Sequence, residues 1–299
     1  MALYRYRKQS LCLDSALECA QGSPAAFAEV LRTRLADDAV TGVALARPLL
    51  IGQMRHVLGQ PAARLAFLLP KQGLQMPALM ALLEWLARVA GERGALRVVA
   101  EVDERSAAFE GLRRTGFVVY AWQRVWSFSP SGERPEASNL WRPMRSVDEG
   151  AVRSLCQLLL PPLALAAETF LLRPGQGLVH CRGDELLAYV SVLSGAQGVY
   201  LIPIIHPDVE NVEELLRDLL WGQSRGRNRP IYLTMRSYQA WLEPVLAGFQ
   251  GGVAPRQALM VKHLARLQRA EVTASQAVLE HAWTRNLEAR SSTKNGTIG

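Results

Sequence analysis

The sequence predicts an α/β (α+β) chain in two similar halves, each with strands and helices in the same order. Three observations predict it. Residues 64–117 read as strand, tight loop, amphipathic helix, strand, helix and Gly-Phe. Residues 199–249 run through the same order, with Phe117 and Phe249 standing 132 positions apart. Between them lies SPSGERPEASNL (129–140), a polar Pro/Gly/Ser stretch that reads as a linker. The halves match in pattern with little identity, and a period this long indicates a duplicated domain, not a solenoid.

Residues 11–35 keep helical spacing through Leu13, Ala16, Leu17 and Ala20. Gly22-Ser23-Pro24 breaks that pattern, and Ser23 is placed to cap a second helix reaching about Leu35. VTGVALA (40–46) and LLIGQMRHV (49–57) read as strands joined at Arg47-Pro48. RLAFLLP (64–70) is the next strand, and KQGLQ (71–75) leads into a helix over 76–90. In that helix Leu79, Leu82, Leu83, Leu86 and Ala90 form one core-facing stripe. Pro77 suits the first turn, where a missing N–H costs little. ALRVVAEV (95–102) is apolar on both faces, as a buried central strand requires. Asp103 is placed to cap the helix over 104–115, and VVYAWQRVWSF is a long aromatic and β-branched strand.

In the second half, Ser146 with Glu149 reads as a capping box opening a helix over about 147–159. Strands follow at about 178–182, 186–193 and 198–206, then a helix from 212 that Asn211 and Glu214 introduce. Strand 230–235, helix 237–249 and strand 257–264 complete it, and residues 266–299 hold one helix (about 272–288) and a polar tail.

Composition narrows the function classes. With 49% hydrophobic and 20% charged residues the chain is globular. A net charge of +7 favours acidic partners such as phosphorylated cofactors. No run of five basic residues occurs, so a dedicated nucleic-acid binder is not expected. Cys12, Cys19, Cys156 and Cys181 form no CxxC pair, which speaks against a metal site and for reduced thiols in the cytoplasm. The basic N-terminus lacks a continuous apolar core and is not read as a signal peptide. The most apolar run, LLLPPLALAA (158–167), is too short to span a bilayer. No membrane association is expected.

A strand ending at a helix N-terminus presents unpaired N–H groups and a positive dipole end, which suits an anion. Lys71, Gln72 and Gly73 stand at that place. The order of elements, with Ala108, Gly116 and Phe117 in one half and Ala240, Gly248 and Phe249 in the other, resembles the GCN5-related N-acetyltransferase superfamily in a tandem form. The resemblance covers about 40–130 and 145–265. It implies two tandem acetyltransferase-like domains, each a mixed, mostly antiparallel central sheet flanked by helices, and divides the chain into an N-terminal acetyltransferase-like domain (1–130), a degenerate C-terminal copy (141–265) and a terminal segment (266–299).

The resemblance implies that acyl-CoA lies in a splayed gap between the fourth and fifth strands. Strand backbone would pair with the pantetheine arm, and the pyrophosphate would sit on the loop opening the next helix. Carried onto this chain, the acetyl-CoA contacts are Leu68, Leu69, Lys71, Gln72, Gly73, Leu74 and Gln75, with a small-molecule or peptide amine as acceptor. Where the family loop continues with glycines, this chain has Leu74 and Met76, or Gln75 and Pro77 in the other register. The position of the family's tyrosine acid is Leu112 in the first half and Pro244 in the second. The second loop, His206-Pro207-Asp208-Val209-Glu210, puts two carboxylates where pyrophosphate would lie. Glu101 ends the central strand where a general base could stand, against the simpler reading of a solvated strand-end carboxylate. No catalytic residue is assigned. The expected activity is acyl-CoA-dependent N-acyl transfer by the N-terminal domain. The alternative is an inactive acetyltransferase-fold protein that serves as a binding or scaffold module.

Overall fold

Residues 10–22, 38–71, 74, 76–129, 139–168, 177–224 and 229–264 are described by the computed structural model, and all lie in the unit Met1–Leu264. The first half contributes β1 (Leu11–Cys12), β2 (Ala39–Ala44), β3 (Leu50–Arg55), β4 (Ala62–Leu69), β5 (Arg97–Asp103) and β6 (Val118–Phe128). The second contributes β7 (Arg142–Pro143), β8 (Gly177–Arg182), β9 (Glu185–Ser194), β10 (Val199–Ile205), β11 (Ile231–Arg236), β12 (Gly252–Val253) and β13 (Gln257–His263). The helices are α1 (Ser15–Gln21), α2 (Met76–Glu92), α3 (Ala107–Arg114), α4 (Glu149–Leu159), α5 (Pro162–Ala167), α6 (Val212–Ser224) and α7 (Glu243–Gly248).

The sheet is mixed and mostly antiparallel, as the resemblance implies. Its order is β2-β3-β4-β5-β13-β6-β11-β10-β9-β8-β7. Parallel pairing occurs at β4–β5 and β10–β11, the same place in each half. The halves share this sheet by exchanging their last strands. β13 lies between β5 and β6, so the first half's central strand is paired by the second half. β6 in turn pairs with β11. At 11 residues β6 is long enough to serve both neighbours: Val118–Gln123 faces β13 and Gln123–Phe128 faces β11.

Helix α2 covers one face of the first half, and its predicted stripe of Leu79, Leu82, Leu83, Leu86 and Ala90 is buried against β3, β4 and β5 residues. Helix α6 does the same in the second half with Leu215, Leu216 and Leu219. A third cluster sets Val152, Leu155 and Cys156 of α4 against Val179, Tyr189 and Tyr200, with Ala20 of α1 joining it. Each of the leucines and valines among them stabilises the fold by about 1.5–3 kcal/mol when fully buried.

Local departures from the sequence reading have simple causes. Residues 11–12 are strand, and only Ser15–Gln21 of the first segment is helical, with Asp14 accepting from Leu17 N at 3.2 Å as its cap. The second helix with Ser23 as cap, the linker core 130–138 and the segment 265–299 lie outside the described residues. Ser106, not Asp103, caps α3 by accepting from Ala108 N at 3.2 Å. Asp103 closes a tighter turn by accepting from Arg105 N at 2.8 Å. Before α4 the side-chain acceptor is Asp148, bonded by Arg145 N at 2.8 Å, because a 3-10 turn shifts the start by two residues. The segment 237–249 is kinked at Gln239 (φ −123°) into a 3-10 stretch and the short α7. The Asn211–Glu214 cap forms as expected, with Glu214 N donating to Asn211 Oδ1 at 3.2 Å and Asn211 Nδ2 to Glu214 Oε2 at 3.0 Å.

Candidate functional site

β4 and β5 pair only at Ala62–Arg64 against Arg97–Val99. Beyond those residues the strands part, and the opening is the splayed gap that the sequence resemblance implies. The gap is filled by the chain itself. β1 registers antiparallel to β4, Leu11 against Leu68 and Cys12 against Phe67. Leu13 then spans the opening: its N–H donates to Ala66 O at 2.9 Å, and its C=O accepts from Glu101 N at 2.9 Å. Ala66 is the extra residue of a bulge, since Gln53 faces Phe67 while Met54 faces Leu65. Its carbonyl therefore has no ladder partner on β3, and Leu13 supplies one. Leu11 and Leu13 both sink into the first core.

Polar groups lock this segment in place. Arg64 donates to Asp14 from Nε at 3.0 Å and from Nη2 at 3.3 Å, and to Glu101 at 2.8 Å. Ser15 N donates to Glu101 Oε2 at 2.9 Å, and so does Gln123 Nε2 at 2.9 Å. Gln257 from β13 joins through Ser15 Oγ (2.9 Å) and Gln123 Nε2 (2.7 Å). Burial pushes the Asp14 carboxyl up, and Arg64 with the Leu17 N–H more than offsets it, holding the carboxyl below its usual range. Glu101 is 5% exposed, so it is not the solvated strand-end carboxylate expected. Three donors, Ser15 N, Arg64 Nη2 and Gln123 Nε2, already hold its oxygens, so its place here is that of a structural acceptor. Burial raises the Cys12 thiol well above its usual value, which leaves it inert.

The network continues into the second half. Arg236 Nη1 donates to Gln123 Oε1, and Arg236 Nη2 pairs with Glu168 at 3.3 Å in a setting 0–1% exposed. Burial pushes the Glu168 carboxyl up, partly offset by Arg236.

Of the expected donor contacts, Leu68 and Leu69 are buried in β4, Lys71 is exposed, and Leu74 packs partly against the first core. Gln72, Gly73 and Gln75 lie outside the described residues. Helix α3 closes directly on α2: a Cβ at Gly111 would fall inside contact distance of Leu79. Leu112 is 0% exposed in the apolar core, so that position offers neither a proton nor access. Gly116 ends α3 at φ +85°, a conformation glycine adopts freely. Arg113 and Arg114 pair with Glu110 on an exposed helix face. His56 is buried with Nε2 2.8 Å from Gln60 O, and His180 Nδ1 lies 2.9 Å from Leu140 O. These are packing histidines. Among the described residues no three His, Cys, Asp or Glu side chains gather as a metal site would.

In the second half β10 and β11 pair at Val199–Leu201 against Ile231–Leu233 and then part. Here a side chain bridges to the freed strand edge: Gln239 Oε1 accepts from Ile205 N at 3.4 Å, and its Nε2 donates to Pro203 O at 3.5 Å. Asp208 and Glu210 stand exposed on the loop before α6, with Arg182 3.4 Å from Glu210. Neither gap, as described, fits a pantetheine arm.

Sequence reasoning missed residues 11–15. The signal was present in SLCLDS: Leu11 and Leu13 alternate with period two, and Asp14 is a cap residue ahead of SALECAQ.

The fold is similar to that of solved GCN5-related N-acetyltransferases. The structure of a GCN5-related N-acetyltransferase from Sphaerobacter thermophilus matches with a TM-score of 0.50 and 14% identity, over 79% of this chain and 85% of that one. A GCN5-related N-acetyltransferase from Kribbella flavida matches with a TM-score of 0.51 and 12% identity, over 80% of this chain and 95% of that one. No family model matches the sequence, and neither does any curated protein. At these identities the likeness is one of fold.

No helix among the described residues is long and apolar enough to cross a membrane.

Proposed function

We propose that this chain is a non-catalytic acetyltransferase-fold binding protein. One observation carries the reading: Leu13 bridges Ala66 O and Glu101 N where the superfamily lays its acyl donor. A ligand entering there must replace two backbone hydrogen bonds, expel two buried leucines and strand the Asp14–Arg64 pair. The buried Leu112 and the acidic loop at Asp208–Glu210 support the same reading. Titrating the full chain with acetyl-CoA and with CoA in a calorimeter tests it, the expected result being no saturable heat. Thiol release from acetyl-CoA with any amine acceptor, above a Lys71→Glu control, would overturn it.

A second reading rests on the retained β4–β5 splay and on the helix start behind it. On that reading the N-terminal domain is an acyl-CoA-dependent N-acyltransferase with acetyl-CoA as donor and a small-molecule or peptide amine as acceptor. Residues 11–15 leave the gap, and Leu68, Leu69, Lys71, Gln72, Gly73, Leu74 and Gln75 take the donor. Both readings keep the division at 1–130, 141–265 and 266–299. The free state of all four cysteines supports the cytoplasm as the compartment.

A further inference from the structure

A cleft of about 380 Å³ separates α1, the end of β3 and the start of β4 from strands β9 and β10. We propose that it binds a small monocarboxylate with a compact, branched apolar body. The body is set by Leu17 on one side and by Val192, Leu193 and Ile202 of the second half on the other. The volume lies near the lower end for ligand pockets, so the occupant is a small molecule.

The head group is set by which charges remain uncommitted. Arg64 and Asp14 line the cleft, but they are bonded to each other, and Arg64 to Glu101 as well. Asp38 gives Oδ2 to Arg55 at 3.2 Å, while its Oδ1 is shut away from solvent. Arg55 spends one nitrogen on that contact and leaves its side chain 34% exposed. A guanidinium carries five donors in a planar fork, so Arg55 has donors left for a carboxylate in bidentate geometry. Asp14 and Asp38 also border the cleft, and their repulsion weighs more against the double charge of a phosphate than against the single charge of a carboxylate. The cleft shares Asp14 and Arg64 with the network that closes the acyl-donor gap, so the proposal rests on the reading in which residues 11–15 stay in that gap.

The test titrates the full chain with sodium isovalerate, and with isopentylammonium chloride as a probe of similar shape and opposite charge. Binding is followed by calorimetry and by the amide spectrum. Isovalerate should bind saturably, and Arg55→Gln should weaken it at least about tenfold, the loss of a charge-assisted contact. Leu193→Trp, which fills the cleft from the other half, should do the same and keeps the test open if Arg55→Gln folds poorly. Arg88→Gln, on an exposed face of α2, should leave binding unchanged. Absent saturation, a preference for isopentylammonium, or parental affinity in either cleft variant would overturn the assignment.

Discussion

Replacing Asp14 by alanine should release the N-terminal segment from its gap. Three contacts disappear: two to Arg64, at 3.0 and 3.3 Å, and the cap bond from Leu17 N at 3.2 Å. Breaking a buried ion pair costs about 3–5 kcal/mol, because the remaining charge is left unpaired. Arg64 keeps Glu101 at 2.8 Å, which puts the cost at the lower end, about 3 kcal/mol. Losing the cap adds up to about 1 kcal/mol. Urea unfolding should show the midpoint falling by roughly 1 M at unchanged slope, for a slope near 3 kcal/mol/M. Amide exchange gives a readout specific to the segment. The Leu13 and Glu101 amides should exchange at least about a hundredfold faster in the variant, since 1.4 kcal/mol is tenfold. The difference between variant and parent should shrink in acid. The Asp14 carboxyl is held below its ordinary value, so its contribution is present above that value and fades as the pH falls through the folded one. A loss under about 1 kcal/mol, or unchanged exchange at Glu101, would refute the reasoning.

Other perturbations follow from the same geometry. Asp148 sits with Arg142 at 2.7 Å and accepts from Arg145 N, and these bonds lower its carboxyl to about 2. Its contribution is full above about pH 4 and lost as the pH falls through about 2, so Asp148→Asn should flatten the acid limb of a stability profile there. Arg236→Met should destabilise the chain by about 3–5 kcal/mol by stranding Glu168, and Glu168→Gln in the same chain should recover part of that loss in a double-mutant cycle. Gly195→Val should cost more than about 1 kcal/mol in thermal unfolding, because its Cβ would collide with the Ala20 carbonyl at the end of α1.

Much of the fold was legible because the residues that build it carry strong local signals. The leucine stripe of α2, the double-sided apolar run of β5 and the Asn211–Glu214 cap each specify their element without outside help. The exchange of β6 and β13 was not legible, because both strands are apolar enough to pair with any buried neighbour and sequence order does not say which. The parting of β4 and β5 was legible from the order of elements, but what fills it was not: β1 is two residues long, too short for periodicity to separate it from the helix that follows. The burial of Glu101 was not legible, because its partners come from residues 15, 64 and 123.

The strand exchange also orders events during synthesis. Residues 97–103 leave the ribosome long before residues 257–263, which will pair with them. Until then β5 offers an unpaired apolar edge, the kind of surface on which nascent chains pair wrongly or meet chaperones. The first half therefore cannot finish folding by itself as it emerges, and completion of its sheet is deferred to nearly the last strand made.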